Sequence, residues 1–334
     1  MLAGGEGKRL KAVSGALPKP MVELLGRPIL EHTILLLKSC GFDEVCIAVR
    51  YEADRIIEYF GNGEKFGVKA VYRREDEPMG TAGAVKGCRD FYGRDDFLVI
   101  SGDAVCDMAL DELFRAHKKS GAAVSAALHR EEIPTRFGLA VTDSEGNIRS
   151  FIEKPGWSEV VTDSVNTGIY VLSPRAMEYV PENVPFDFGR DLFPLLLKRG
   201  EKLMGFDMGG YWCDVGTPLS YYRCCVDALE GRLEISPSEA FSPVSADIAE
   251  DAPQGGIDCP CKSRAAVMGV LSEAVLDLGA DYSDGIRIIR PNYSLHIAPR
   301  VRVSAIHVDI RSDDAEFARE LTLTAKELIE KLEL

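Results

Sequence analysis

Three glycines in Gly4-Gly5-Glu6-Gly7, followed at once by Lys8-Arg9-Leu10, form a loop suited to an anion. With no Cβ atoms in the way, successive backbone N–H groups can converge on phosphate oxygens. Lys8 and Arg9 add positive charge at the same place. Lys19 adds another cation within Leu17-Pro18-Lys19-Pro20-Met21. A proline on each side stiffens the Lys19 backbone and aims one ammonium. The loop lacks the Gly-Lys-Ser/Thr ending of a Walker A motif, and it is not the Gly-x-Gly-x-x-Gly of a dinucleotide fold. The glycines alone are equally consistent with a plain tight turn. Further on, Phe97-Leu-Val-Ile-Ser101 reads as a buried strand that puts Gly102-Asp103 at its carboxyl end. Open α/β sheets hold their ligands at that end. A carboxylate there either serves a ligand or caps a turn.

These residues need elements to hold them, and the first two-thirds of the chain alternate β-rich and helical stretches. Strands are predicted at 45–50, 68–72, 97–101, 122–128 and 168–172, and helices at 28–40, 53–60, 81–91 and 110–120. Pro28 suits a first helical turn, and Gly41 suits a stop. Such alternation predicts a mixed, mostly parallel sheet covered by helices. The start is unusual, because Met1-Leu2-Ala3 leaves almost no strand ahead of the glycine loop. A missing central strand would expose apolar surface and unpaired backbone groups, at a cost in stability. From about residue 233 to 257 the composition turns to Ser, Pro, Ala and acids, which predicts a linker. Residues 258–334 read as a small α+β unit, with helices at 264–276 and 313–332 and strands at 285–290 and 301–310.

Taken in order, these residues resemble the signature of the sugar-nucleotide pyrophosphorylases, the sugar-1-phosphate nucleotidylyltransferases. The opening loop with Pro18-Lys19-Pro20-Met21 is similar to their first motif. Pro78-Met79-Gly80-Thr81-Ala82-Gly83 resembles the loop that meets nucleobase and sugar. Ser101-Gly102-Asp103 resembles the strand end whose Asp binds magnesium. Phe151-Ile152-Glu153-Lys154-Pro155 and Asn166-Thr167-Gly168-Ile169-Tyr170 resemble sugar-contact segments. Tyr211-Trp212-Cys213-Asp214-Val215-Gly216-Thr217 resembles the segment with the second metal-binding Asp. Together the motifs span residues 2–222. Two positions depart from the pattern, Lys8 where many members carry Thr or Ser, and Ala12 where many carry Pro.

The resemblance implies a Rossmann-like α/β nucleotidyltransferase domain over residues 1–232. It implies nucleotide contacts from Leu2, Ala3, Gly4, Gly5, Gly7, Lys8, Gly80, Thr81 and Gly83. Arg9 and Lys19 would act on the triphosphate and its developing charge. Asp103 and Asp214 would hold Mg²⁺, which prefers one or two carboxylates plus phosphate oxygens and water; on its own, Asp214 could instead pair with a nearby cation. Gly138, Glu153, Lys154, Asn166 and Gly168 would meet the sugar phosphate. Pro155 favours an extended backbone at Lys154, although an exposed turn with a solvated ion pair has the same pattern. Thr81 and Gly83 open a helix whose N–H groups suit polar ligand atoms or simple capping.

Ser14-Gly15 and the carboxy-terminal unit tilt the reading toward GTP and mannose 1-phosphate as substrates. The alternatives are glucose-1-phosphate uridylyl-, thymidylyl- or cytidylyltransfer, or an inactive sugar-nucleotide-binding regulator. Cys259–Met268 and Asp284–Ile289 resemble the last domain of phosphohexomutases. The phosphoserine loop, metal loop and phosphate clamp of a mutase are not visible, although Pro299-Arg-Val-Arg302 stands near the clamp position. This tail reads as a remnant that serves packing or assembly.

A formal net charge of −14 opposes a nucleic-acid or anionic-membrane partner. No apolar run approaches the ~20 residues of a membrane span. The nine cysteines show no zinc spacing. A cytoplasmic protein with reduced thiols is expected, with homo-oligomerisation possible.

Overall fold

The computed structural model describes residues 1–10, 15, 17–131, 133–238, 256–262, 264–274, 280–281, 285–290, 293–300, 304–312 and 315–332. Ala12, Ser14, residues 239–255 of the expected linker, Asp284 and Arg302 lie outside the described residues. The chain divides into two compact units. The first comprises Met1–His129, Thr142–Phe151 and Asn166–Pro243, and the second comprises Arg130–Val141, Ile152–Val165 and Val244–Leu334. Two segments that the sequence reading placed with the first 232 residues therefore group with the tail.

The elements that position the site are strands β1 (Leu2–Ala3), β2 (Glu44–Val49), β3 (Lys69–Arg74), β4 (Phe97–Val99), β5 (Ala104–Cys106), β6 (Val124–Arg130), β7 (Gly138–Thr142), β8 (Ile148–Glu153), β9 (Ser164–Leu172), β10 (Leu203–Asp207) and β11 (Trp212–Asp214). Helices α1 (Ile29–Ser39), α2 (Ala53–Phe60), α3 (Gly80–Lys86), α4 (Leu110–Ser120) and α5 (Pro218–Leu229) accompany them. In the first unit β1, β2 and β3 run parallel, with Leu2 opposite Ala48 and Val45 opposite Ala70. Leu2 also bridges Ser101 in the parallel sense, just beyond β4. β4 pairs antiparallel with β9, β9 adjoins β6, and β6 runs parallel to β10. Strands pair in both senses, a mixed sheet accompanied by helices, as expected.

The sequence leaves almost no strand ahead of the glycine loop, and the structure has two residues of one. β1 is two residues long, yet it is hydrogen-bonded on both edges. The Ala48 N–H donates to the Met1 carbonyl at 2.9 Å, and the Met1 ammonium donates to the Cys46 carbonyl at 2.8 Å. On the other edge Leu2 N–H donates to Ile100 O at 2.9 Å, and Gly102 N–H donates to Leu2 O at 2.8 Å. A cleft of about 250 Å³ is lined by Met1, Cys46, Phe97, Val99 and Phe114 among others.

Helix α1 buries Ile29, Leu30, Ile34 and Leu37, the recurrence of a 3.6-residue period. It ends in a Schellman motif: Gly41 N–H donates to Lys38 O at 3.0 Å and Phe42 N–H to Leu37 O at 2.9 Å. Gly41 takes φ +84°, open to glycine without Cβ strain. Pro28 is the cap residue of this helix rather than part of its first turn. The single helix predicted at 81–91 is broken. α3 stops at Lys86, Gly87 caps it, and a separate turn covers Arg89–Tyr92; glycine is a poor helix former.

The second unit has its own core. Strands β12 (Gly256–Pro260), β13 (Ile286–Ile289), β14 (Tyr293–Pro299) and β15 (Ala305–Ser312) form an antiparallel sheet in the order β12-β15-β14-β13. Helices α6 (Arg264–Ala274) and α7 (Ala315–Leu332) contribute Val267, Met268, Leu271 and Ile329 to the same cluster as Ile306 and Val308. Trp157, from the 152–165 segment, is buried in that cluster. β12 and β14 were not anticipated from the sequence.

In the first unit Ile47 is fully buried at the middle of β2. Ile47→Ala should cost about 2–5 kcal/mol, read as a lower urea midpoint with an unchanged slope. A cost below about 1 kcal/mol would show that β2 is not in the core.

Candidate active site

The glycine loop leaves β1 and ends in a turn over Lys8–Leu10, where Leu10 N–H donates to Gly7 O at 2.9 Å. Leu10 is fully buried in a cluster with Val22, Leu24, Ile29, Val105 and Val215, which anchors the far end of the loop. Gly7 has φ +67°, and a Cβ built on it would lie 2.7 Å from the Lys19 Cβ. Only glycine lets the loop lie so close to Lys19.

Pro18 is extended (φ −65°, ψ 146°), and Lys19-Pro20-Met21 form a single 3₁₀ turn. The Lys19 side chain is 7% exposed. Its ammonium donates to Asp103 Oδ2 at 2.9 Å and to Asp214 Oδ1 at 2.7 Å. The Ser101 hydroxyl donates to Asp103 Oδ1 at 2.7 Å. Asp103 follows β4, and the first residue of β5, Ala104, pairs directly with Asp214 on β11. That antiparallel register brings together two carboxylates far apart in sequence. The Arg9 guanidinium lies beside Asp214: a Cβ on Gly216 would be 2.9 Å from Asp214 Oδ2 and 3.4 Å from Arg9 Nη2. Lys8 points elsewhere, exposed and 3.4 Å from Glu6.

A pocket of about 270 Å³ opens beside Asp103. Leu2, Ala3, Gly4, Gly5, Gly80 and Thr81 line it, so the loop and the start of α3 face one space. Arg50, Glu75 and Asp187 line it too and were missed in the sequence. Arg50 and Glu75 directly follow β2 and β3, so the strand-end rule could have found them. Asp187 carried no sequence signal. Its carboxylate accepts from the Thr81 N–H at 3.0 Å and from the Thr81 hydroxyl at 3.2 Å. The N–H groups of Ala82 and Gly83 donate to Phe186 O at 2.9 and 3.0 Å. The N–H groups of Thr81 and Gly83 are thus hydrogen-bonded to the 186–187 segment, while Thr81 also lines the pocket. A Cβ on Gly83 would lie 3.1 Å from Met79, a packing position.

Asn166 and Gly168 stand on β9, where Asn166 Oδ1 accepts from Gly168 N–H at 3.2 Å. A Cβ on Gly168 would lie 3.4 Å from the Ser101 Cβ, next to the residue that holds Asp103. Gly138, Glu153 and Lys154 belong to the second unit. Gly138 heads β7 and Glu153 closes β8. Lys154 has φ +47°, the left-handed region, instead of the extended backbone expected before Pro155. Its N–H donates to Phe137 O at 3.2 Å, a tie that holds a conformation unfavourable for a side-chain-bearing residue. Strain of this kind gathers at functional positions.

Residues 1–231 match the family described as Nucleotidyl transferase. The chain belongs to the nucleotidyl transferase family. It is 33% identical over 247 residues to a UTP–glucose-1-phosphate uridylyltransferase of Synechocystis, a match covering 70% of this chain and 64% of that protein. It is 35% identical over 249 residues to a mannose-1-phosphate guanyltransferase of Yarrowia lipolytica, covering 73% of this chain and 67% of that protein. The chain thus spans about two-thirds of the length of these relatives. Among solved structures, HddC from Yersinia pseudotuberculosis complexed with GMP-PN has a TM-score of 0.59 at 30% identity, over 68% of this chain and 97% of that one.

The electrostatics of the site centre on Lys19. Burial acts to lower its pKa, but the charges and hydrogen bonds of Asp103 and Asp214 outweigh burial, and the net shift is upward. Burial acts to raise the Asp103 pKa, but the Lys19 charge and hydrogen bond, with the Ser101 hydroxyl, hold it below its ordinary value. In the pocket wall, burial raises the Glu75 pKa against the opposing Met79 N–H and Arg50 charge.

Gly7→Ala should destabilise the protein by about 1–2 kcal/mol, while Gly5→Ala, whose Cβ meets nothing within 4 Å, should stay within about 0.5 kcal/mol. Equal urea midpoints for the two variants would remove the Gly7–Lys19 approach. Asp103 contributes stability that is complete above its unfolded pKa of ~3.9 and is lost as pH falls through its lowered folded value. Ser101→Ala raises that folded value, so the acid-unfolding midpoint should move to higher pH; an unmoved midpoint would remove Ser101 from the network.

Proposed function

We propose that the chain transfers a nucleotidyl group from a nucleoside triphosphate to a sugar 1-phosphate with release of pyrophosphate, and that its substrates are GTP and mannose 1-phosphate. One observation carries the reading: a buried ammonium and two carboxylates converge beside a glycine loop at the carboxyl ends of the strands. Cation and loop suit the triphosphate, and the pocket between the loop and Thr81 suits the nucleoside.

The attacking oxygen of a sugar 1-phosphate is already anionic at neutral pH, so no general base is needed. Catalysis then rests on positioning and charge neutralisation. Arg9 and Lys19 neutralise the triphosphate and the charge that grows on the departing pyrophosphate. Glu153 receives sugar hydroxyls, and Lys154 receives the sugar phosphate. Asn166 and Gly168 shape the strand beside Ser101. The carboxylates also fit a divalent cation, since two of their oxygens already converge on one positive charge. Among the described residues no third His, Cys, Asp or Glu joins them, and Mg²⁺ takes such a set when phosphate and water complete it. When bound there, Mg²⁺ supplies charge neutralisation at phosphate oxygens.

The Yarrowia relative and the GMP-PN complex support the guanine nucleotide. The Synechocystis relative favours a second reading, UTP with glucose 1-phosphate. The cytoplasm supplies both substrates; among the described residues no helix is long and apolar enough to cross a membrane. The carboxy-terminal segment, residues 258–334, serves packing or assembly.

Pyrophosphate release across a panel of triphosphates and sugar 1-phosphates tests the proposal. GTP with mannose 1-phosphate should be the best pair. UTP with glucose 1-phosphate in first place would replace the substrate assignment, and release from no pair would overturn the activity. In the best pair Asp103→Asn should lower kcat by about 10²-fold or more with little change in Tm.

A further inference from the structure

The Lys19 ammonium lies where the two carboxylates are nearest to a shared cation, 2.9 Å from Asp103 and 2.7 Å from Asp214. A divalent ion approaching the same two oxygens meets a positive charge already in place. Unlike charges attract there, and like charges repel, by several kcal/mol at contact distance near a protein surface. The ammonium is not locked from every side. The carboxylates keep 38% and 26% of their side chains exposed, and Asp103 lines the pocket. The Lys19 Cβ is pinned against Gly7, which places the root of the side chain on the glycine loop. From that root a flexible four-carbon stem can serve the carboxylates or an anion at the loop.

We propose that Lys19 is an internal counter-ion that keeps divalent metal off the Asp103–Asp214 pair until an anion at the glycine loop draws the ammonium away. The inference rests on the metal role assigned to these carboxylates above and adds an order to it. Without triphosphate the pair is neutralised from within the chain. With triphosphate, the ammonium finds a stronger partner, and the carboxylates are released for the metal. The two bindings are therefore coupled, and the protein does not hold a bare metal ion in advance of substrate.

The experiment measures Mn²⁺ binding to the full chain by calorimetry and by electron paramagnetic resonance, with no nucleotide present. The wild-type chain should bind weakly. Lys19→Met should bind more than about tenfold more tightly, because a charge is removed at contact distance from the site. Lys19→Arg, which keeps the cation, should stay near wild type. Asp103→Asn in the Lys19→Met background should abolish the gain, which places the ion on the carboxylates. If Lys19→Met does not fold by its thermal transition, Lys19→Gln gives the same comparison. Equal Mn²⁺ affinity for the wild type and the uncharged variant overturns the proposal, as does a gain that survives Asp103→Asn. Because the readout is metal binding, a chain that releases no pyrophosphate with any substrate pair would sink the activity reading while leaving this comparison interpretable.

Discussion

Two half-buried carboxylates meeting on one buried ammonium are the constraint on which the site depends. Asp103 and Asp214 side by side repel each other, and burial makes each charge costlier. Lys19 between them makes the arrangement stable. Each partner comes from a different part of the chain: Lys19 from a proline-flanked turn, Asp103 from just past the end of β4, and Asp214 from β11 of a short antiparallel ribbon. The β5–β11 register sets the carboxylates beside each other, and Gly7 leaves room for the cation. An error of one residue in that register would turn Asp214 to the other face.

The sheet explains why the glycine loop stands there. β1 is short, but both of its edges are hydrogen-bonded, to β2 on one side and to the 100–102 segment on the other. The chain leaves β1 at the carboxyl end of the sheet, beside the ends of β2, β3 and β4. Those ends supply Arg50, Glu75, Ser101 and Asp103 to the same pocket. The opposite wall is held from a distance, since Phe186 and Asp187 take the first N–H groups of α3. Polar backbone that cannot reach water must find such partners. The N–H groups at this helix start thus act as a clamp on the pocket wall.

The second unit is discontinuous in sequence. Trp157 and Ile133 join a core built mostly from residues after 256. An insertion in the first two-thirds of the chain therefore completes the apolar core of the tail. Lys154, three residues before Trp157, keeps a left-handed backbone that a following proline disfavours. The Phe137 carbonyl holds it in place, and the surrounding packing sustains what the local sequence alone would relax.

By itself the sequence determined the α/β class, the bounds of α2 and α4 nearly to the residue, and a loop, a cation and carboxylates in family order. These are local matters: hydrophobic period, glycine freedom and proline stiffness act over a few residues and can be read from them. Only the tertiary structure decided that Lys19 bridges Asp103 and Asp214, since that depends on a strand register between distant segments. It also decided that β1 exists, because two residues carry no periodic signal and become a strand through the neighbours that hydrogen-bond both their edges. Asp187 and the left-handed Lys154 belong to the same class. Each answers to a partner far away in the chain, and that partner's position is a property of the fold.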